Sequence, residues 1–406
     1  MVEVRRVVIV GASLAGLTAA ETLRDAGYEG TITVVEAASS LPPDRPPLSK
    51  QVLSGEWEPH RAAPPSAERI DDFDLDLRFG VRAAGLDVGG RRLELPDGTL
   101  RFDRLLVATG ASPRHLSRPE AMEGIHVLRT MEDCLAIRSD LDAEPGRVVV
   151  VGAGFIGAEV AATCRSRGLE VTVLEALDVA LGRVLGPEIG GVVGDIHRDN
   201  GVDLKLGVGV EGFEGSDRVG GVRLNDGSLV AADVVVVGVG VVPNTGWLAG
   251  SGLTVDDGVV CDETCLAAPG VAAAGDVARW PNQLFGRSMR VEHWDNALEQ
   301  GAAAARRLLA GAGEAVPYAP VPWFWSDQYD RKIQLAGWID GADECKVVEG
   351  SLPERRFVAA YRRGPRLTGV LGMNRPRQVM QFRTRIAEGI TWDDALAELD
   401  QGGDER

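Results

Sequence analysis

The sequence has few cysteines, no excess of basic charge and no long apolar run, and each shortage removes a class of function. Five cysteines are scattered over 406 residues, at Cys134, Cys164, Cys261, Cys265 and Cys345. The number is odd, so a secreted disulfide framework is not expected. Three residues separate Cys261 from Cys265, where a Cys-x-x-Cys redox pair has two. All five are therefore expected to be structural or free thiols. The formal net charge is −17, which offers no basic face for a phosphate backbone, so nucleic acid is not an expected partner. No stretch reaches the roughly 20 apolar residues a membrane-spanning helix needs. The N-terminus runs through Arg5-Arg6 into Val7-Val8-Ile9-Val10 and then a glycine turn. That run is too short for a signal peptide and ends in no cleavage site. The expectation is a cytoplasmic chain with no membrane contact and no metal.

Glycine, by contrast, is abundant (51 residues), and much of it follows apolar runs, where α/β proteins place phosphate turns. At about 100–200 residues per domain the length suggests two to four domains. Runs at 7–10 and 32–35 flank a helical stretch, Leu14–Ala26, stopped by Gly27. The pattern returns as Val148–Val151, a helix over Ile156–Arg167, Gly168 and Val171–Leu174. The chain thus duplicates a β-α-β unit, with β-branched runs that read as strands buried in parallel sheets. Leu105–Ala108 and Val234–Val237 also run into glycine turns, as buried strands delivering a ligand loop do. Arg91–Phe102 and Val222–Val230 each carry an Asp-Gly turn and read as hairpins. After Gly311 come Pro317, Pro320 and Pro322, read as a linker. Trp323-Phe324-Trp325 follows, then strands over Ile333–Trp338, Glu344–Val348, Phe357–Tyr361 and Leu367–Leu371, a helix over Arg375–Ala387, and a frayed end at Gln401–Arg406.

The first glycine turn is Gly11-Ala12-Ser13-Leu14-Ala15-Gly16, with Glu36 at the end of the next strand. Gly11 makes the tight turn and Gly16 lets helix and strand pack closely. The helix N-terminus offers N–H groups and a positive dipole end to a pyrophosphate, and the carboxylate accepts from ribose hydroxyls. Ser13 stands where the fingerprint has its middle glycine, which bears on how closely the backbone meets the phosphates. The second turn, Gly152-Ala153-Gly154-Phe155-Ile156-Gly157, has all three glycines, with Glu175 after the next strand. A carboxylate there suits a free ribose 2′-hydroxyl and repels a 2′-phosphate. The nearest cation, Arg183, lies eight residues on, so NADH is expected rather than NADPH. Two dinucleotide sites in one chain imply one bound redox cofactor and one diffusible hydride donor.

Around these turns stand, in order, Arg45-Pro46-Pro47-Leu48-Ser49-Lys50, Ala108-Thr109-Gly110, Ala274-Gly275-Asp276, Glu292-His293-Trp294-Asp295-Asn296-Ala297 and Trp323-Phe324-Trp325-Ser326-Asp327-Gln328. In this order they resemble the FAD-dependent NADH:ferredoxin reductases of bacterial oxygenase systems, over nearly the whole chain. The resemblance implies two Rossmann-like domains of disulfide-reductase architecture plus a C-terminal α+β domain. Residues 1–112 and 235–315 would form a discontinuous FAD domain, 113–234 the NAD domain and 316–406 the C-terminal domain. It also implies roles. Gly11, Ser13, Ala15, Gly16, Glu36, Arg45, Lys50, Ala83, Thr109, Arg129, Asp276 and Trp294 would line FAD, with Lys50 near the flavin N5. Gly152, Gly154, Phe155, Ile156, Gly157, Glu159, Glu175, Arg183 and Gly240 would hold NADH, with Glu159 orienting the nicotinamide carboxamide. Lys50 and Glu159 are the candidate catalytic pair.

The implied partner is a 2Fe–2S ferredoxin, bound transiently, that feeds a Rieske dioxygenase or a cytochrome P450. The implied assembly is a monomer or homodimer. Trp323 and Trp325, with Arg287 and Arg290 among nearby cations (Arg306, Arg307, Arg331 and Lys332 being others), are the candidate ferredoxin contacts. His293 reads as a satisfied polar residue rather than a general base. No cysteine precedes Cys134, so the thiol relay of disulfide reductases and of single-cysteine oxidases is not expected. Rubredoxin reductase, NADH oxidase and a redox-sensing flavoprotein like apoptosis-inducing factor are the competing readings.

Overall fold

The computed structural model describes residues 4–117, 122–339 and 344–403. By contact the chain divides into two compact units, each assembled from three stretches. The first comprises Met1–Asp44, Ala63–Ser112 and Val242–Pro322; the second comprises Arg45–Ala62, Pro113–Val241 and Trp323–Arg406.

The first unit is built on a six-stranded sheet in the order Leu266–Ala268, Val271–Ala273, Arg104–Val107, Arg6–Val10, Thr31–Val35, Leu75–Arg78. All neighbours are parallel except the first pair. Arg6–Val10 is central, in register with Thr31–Val35 on one side and Arg104–Val107 on the other. Val7, Val8, Ile9 and Val10 are all buried, as an unbroken β-branched run requires in a sheet covered on both faces. The helix Leu14–Asp25 leaves this strand, and the helix Trp294–Leu309 crosses it closely. A Cβ at Gly301 would lie 2.5 Å from the Ala15 carbonyl oxygen, so that approach requires glycine. The expected hairpin is present: Arg92–Leu95 pairs with Gly98–Arg101 across Pro96-Asp97, and Gly85–Asp87 adds a third strand.

The second unit repeats the plan. Its parallel sheet runs Asp203–Lys205, Glu170–Leu174, Arg147–Val151, Val234–Val237, Ile125–His126. Val148–Val151 are buried like their counterparts. The second expected hairpin pairs Val219–Leu224 with Leu229–Ala231. The C-terminal part is a five-stranded antiparallel sheet in the order Trp323–Gln328, Arg331–Gly337, Arg366–Met373, Arg356–Arg363, Glu344–Ser351. It shares one core with the helix Gly182–Asp199: Leu185, Ile189, Val193 and Ile196 pack with Ile333, Leu335, Phe357 and Leu371.

Several elements were not foreshadowed in the sequence. Trp323–Trp325 opens a strand of this sheet rather than preceding it. The helices Met131–Asp142, Gly182–Asp199, Trp294–Leu309 and Trp392–Gly403 are additional. Gly186 breaks the second of these (φ 76°, ψ 172°) just before Pro187, which hides its periodicity. The expected frayed end is helical through Gly403; residues 404–406 lie outside the described ones. Among the described residues no helix is long and apolar enough to cross a membrane, and no cluster of three or more His, Cys, Asp or Glu side chains is arranged to hold a metal ion.

Candidate functional site

The first glycine turn stands at the end of the central strand of the first unit. Gly11 adopts φ +110°, and a Cβ there would lie 2.3 Å from the Ala108 carbonyl oxygen. A Cβ at Gly16 would lie 1.9 Å from the Gly11 carbonyl oxygen. Both glycines are therefore obligatory for backbone packing, as expected. Ser13 is the N-cap of the helix at φ −85°, ψ −169°, with no side-chain capping bond. That is extended backbone which any residue adopts, so serine fits here without strain. Glu36 holds the turn from the neighbouring strand: its carboxylate accepts from the Ala12 N–H (2.7 Å) and the Ala38 N–H (2.8 Å).

The second unit reproduces this arrangement bond for bond. Gly152 has φ +100°, and its Cβ would lie 2.4 Å from the Gly238 carbonyl oxygen. A Cβ at Gly157 would lie 2.0 Å from the Gly152 carbonyl oxygen. Glu175 accepts from Ala153 N–H (2.7 Å) and Leu177 N–H (2.9 Å). Gly154 is extended (φ −76°, ψ 178°), and a Cβ there would meet nothing within 4 Å. Open space thus lies in front of a helix whose first N–H groups have no helical acceptor. Ile156 is exposed on the first turn, while Phe155 packs edge-on against Phe324 with ring centroids 4.5 Å apart. Arg183 is exposed on its helix, and Gly240 takes φ +95° beside Arg114. A tight turn, first-turn N–H donors and a carboxylate at the next strand fit a pyrophosphate and a ribose in each unit.

Lys50 and Glu159, set more than a hundred positions apart in sequence, are joined within the second unit. Lys50 Nζ lies 2.8 Å from Glu159 Oε2, with side chains 13% and 4% exposed. Ser49 Oγ donates to the same oxygen at 2.5 Å, and Ser326 Oγ donates to Oε1 at 2.8 Å. The segment carrying Ser49 is pinned to the helix carrying Glu159, because Thr163 Oγ1 donates to the Ser49 carbonyl at 2.8 Å. The pair is out of bulk water, where removal of one partner would strand the other charge at a cost of about 3–5 kcal/mol. Arg45 precedes the short 3₁₀ turn Pro46–Ser49 that delivers Lys50, with no side-chain capping bond to it.

The remaining candidates are distributed as follows. In the first unit, Thr109 Oγ1 donates to the Asn244 carbonyl (3.0 Å), and Asn244 Nδ2 returns a bond to the Thr109 carbonyl (2.8 Å). Gly275 (φ +74°) carries the buried Asp276, and its N–H donates to Gln300 Oε1 at 2.9 Å. Trp294 donates its indole N–H to Asp44 Oδ1 at 2.7 Å. Ala83 is half-buried in the loop after Leu75–Arg78. His293 precedes the helix Trp294–Leu309, and burial holds its imidazole down near 4, which disfavours the charged form. Arg290 pairs within the unit with Glu292 (2.6 Å) and Asp257 (3.3 Å); Arg287 is half-buried. In the second unit, Arg129 is half-buried ahead of the helix Met131–Asp142. Trp323 and Trp325 stack at 5.2 Å on the opposite strand face from Phe324. Arg331 and Lys332 are paired with Asp330 and Asp327.

Sequence reasoning did not single out Ser49, Ser326, Asn244 or Gln300. Ser49 and Ser326 lie inside the motifs quoted above, but their partners are distant in the chain, and no local pattern marks them. None of the five cysteines is disulfide-bonded, and burial pushes Cys134 and Cys345 up to about 11 and Cys164 and Cys261 to about 12. The reactive thiolate form is thereby suppressed.

A family model described as pyridine nucleotide-disulphide oxidoreductase matches residues 5–301, and one described as reductase C-terminal matches residues 323–401. Rhodocoxin reductase of Rhodococcus erythropolis is 40% identical over 386 residues, covering 94% of this chain and 89% of the relative. Putidaredoxin reductase of Pseudomonas putida is 37% identical over 394 residues, covering 95% and 92%. The structure of a covalent putidaredoxin reductase–putidaredoxin complex superposes with a TM-score of 0.91 at 34% identity, covering 99% of both chains. Two matched glycine turns, a buried lysine–glutamate pair and these likenesses lead to one conclusion: the chain belongs to the pyridine nucleotide-disulphide oxidoreductase family, as a member carrying the reductase C-terminal domain.

Proposed function

We propose that this chain is an NADH:ferredoxin oxidoreductase that delivers electrons to a 2Fe–2S ferredoxin serving an oxygenase. The observation that carries the reading is the pairing of two dinucleotide cradles with a chain in which four thiols are buried, the fifth, Cys345, is half-buried, and burial favours the protonated form. Its relatives are ferredoxin reductase components and putidaredoxin reductase. FAD is the cofactor and NADH the donor. When bound, FAD supplies the conversion of a two-electron hydride input into one-electron output.

The protein's own part is binding, orientation and electrostatics. In this reading the expected FAD part (1–112 and 235–315) is the first unit and the expected NADH part (113–234) belongs to the second, with 316–406 completing the structure; the bounds shift because Arg45–Ala62 and the strand Val234–Val237 pack in the second unit. Gly11, Ser13, Ala15, Gly16 and Glu36 seat the FAD pyrophosphate and ribose, with Ala83, Thr109, Arg129, Asp276 and Trp294 lining the rest. Gly152, Gly154, Phe155, Ile156, Gly157 and Glu175 seat NADH, with Arg183 and Gly240 at its edges. Glu159 orients the nicotinamide, and Lys50, its ion-pair partner, lies beside the flavin with Arg45. Holding the reacting groups in contact supplies most of the rate, because pre-paid orientation removes a large entropic barrier. No thiol relay is needed. Trp323, Trp325, Arg287 and Arg290 are the contacts for ferredoxin, and the enzyme acts as a monomer or homodimer in the cytoplasm.

The test is an anaerobic titration of the purified yellow protein with NADH and with NADPH, followed in the flavin band, with a 2Fe–2S ferredoxin added afterwards. The expected outcome is bleaching by NADH in preference to NADPH by about tenfold or more, set by Glu175, and reoxidation by ferredoxin. Bleaching reversed only by O₂ or by a thiol acceptor would replace this function with an oxidase or sensor.

A further inference from the structure

Strand Trp323–Gln328 alternates its side chains between two faces, as any strand does. On one face Phe324 meets Phe155, and the next two residues on that face, Ser326 and Gln328, are wholly buried. Ser326 Oγ lies 2.8 Å from Glu159 Oε1, and Gln328 Nε2 lies 3.2 Å from Ser326 Oγ. Gln328 Oε1 lies 3.1 Å from His197 Nε2, and His197 Nδ1 lies 3.0 Å from the Tyr329 hydroxyl. A continuous polar chain therefore runs from half-buried Tyr329 inward to Glu159, through residues of the second unit alone.

The direction of every bond in this chain follows from its inner end. An ionised carboxylate only accepts, and Lys50 at 2.8 Å keeps Glu159 in company with a cation. Ser326 must therefore spend its one proton on Glu159. Its oxygen then accepts from the Gln328 amide, which turns the Gln328 carbonyl toward His197. The His197 ring, held neutral by burial, must place its proton on Nε2, leaving Nδ1 to accept from Tyr329. Each of the four donors gives its proton to the next group inward, ending at Glu159, an arrangement in which each bond polarises the next.

We propose that Ser326 is a positioning residue for Glu159, with Gln328, His197 and Tyr329 aiming its hydroxyl. The proposal rests on the reading that Glu159 orients the nicotinamide. A carboxylate has about four acceptor sites. Ser49 and Lys50 occupy Oε2 and Ser326 occupies one site on Oε1, which leaves one site, in a fixed direction, for an incoming amide N–H. Without Ser326 the carboxylate pivots about its Lys50 contact, and the amide is met at varying angles.

Two measurements on the FAD-loaded protein test this. The first reads no activity: ¹⁵N-histidine NMR, with His197→Gln identifying the signal, is expected to show His197 as the neutral Nε2–H tautomer. An Nδ1–H tautomer or a charged ring at neutral pH overturns the chain. The second is anaerobic rapid mixing with NADH. Ser326→Ala is expected to slow limiting flavin reduction about tenfold, the size expected for losing a hydrogen bond to a charged group, with little change in the NADH concentration at half-saturation. Ser326→Thr, which keeps the hydroxyl, is expected to recover most of the rate. Gln328→Glu retains shape but offers a rival acceptor to Ser326, so it is expected to be slower than Gln328→Met, which leaves that hydroxyl on Glu159. That order keeps the test open if Ser326→Ala does not fold. No rescue by threonine, or the reverse order at position 328, overturns the proposal while slow Glu159→Gln leaves the Glu159 reading standing. Unchanged reduction by Glu159→Gln overturns both.

Discussion

The two glycine turns are the same device built twice, and the one position where they differ separates what the backbone needs from what the ligand allows. In each, the first and third glycines have a backbone carbonyl within 2.4 Å of where a Cβ would stand. In each, a glutamate from the neighbouring strand takes two backbone N–H groups. Only the middle position differs, Ser13 against Gly154, and there the backbone is extended in both. The first and third glycines are fixed by the protein itself; the middle residue sits on ordinary extended backbone, with open space in front of it at Gly154, and is a matter of the occupant.

The comparison breaks most sharply at the third glycines. Gly16→Ala and Gly157→Ala each drive a Cβ into a backbone oxygen, at a cost on the order of 4 kcal/mol. Gly16→Ala is expected to yield colourless protein. Gly157→Ala is expected to yield yellow protein that NADH bleaches at least a hundredfold less efficiently. The absorbance spectrum of the purified variants, followed by NADH titration, checks both.

Acid is expected to act on both units through a histidine in each. Burial lowers His197 and His293 from 6.5 to about 4, so between those pH values the unfolded chain binds more protons than the folded one. Stability is therefore full above about pH 6.5 and is lost as pH falls toward 4. His197 contributes up to about 3 kcal/mol and His293, which keeps more exposure, less. Thermal melting across pH 4–7 checks this: in His197→Gln, which does not titrate, the part of the slope owed to the two histidines should fall by more than half.

The smallest effect is expected at the middle position. Ser13→Gly and Gly154→Ser should each change melting by less than about 1 kcal/mol. Each should shift cofactor or NADH affinity by no more than about tenfold, read by FAD release and by NADH titration. A collapse of either fold would show that the middle residue is structural after all.

Much of this was legible because the signals are local. Val7–Val10 and Val148–Val151 are runs that only a doubly covered sheet accommodates, and both turns announce themselves within six residues. The helix Met131–Asp142 went unread because its apolar stripe is weak; Trp294–Leu309 and Trp392–Gly403 carry a clear apolar stripe that was not followed. Gly182–Asp199 was hidden by Gly186 and Pro187. At the site, Lys50 and Glu159 were each marked by their motif, yet nothing in the sequence joins them. Ser326, read only as part of an aromatic run, owes its place to strand alternation that turns it away from Trp325 and toward a helix formed far earlier in the chain. Arg290 is marked in the sequence only as one of several nearby cations; its pairing with Asp257, far from it in the chain, is a product of the fold.

The core shared by the helix Gly182–Asp199 and the C-terminal sheet sets the modularity of the molecule. A chain cut at Pro322 would leave Leu185, Ile189, Val193 and Ile196 facing water, and the released sheet would bare Ile333, Leu335, Phe357 and Leu371. Recombination between relatives that exchanges the C-terminal segment alone would mismatch the two halves of one hydrophobic layer. The heritable unit is the sheet together with its helix, so any variation in the C-terminal segment must be matched on that helix, within the rest of the second unit.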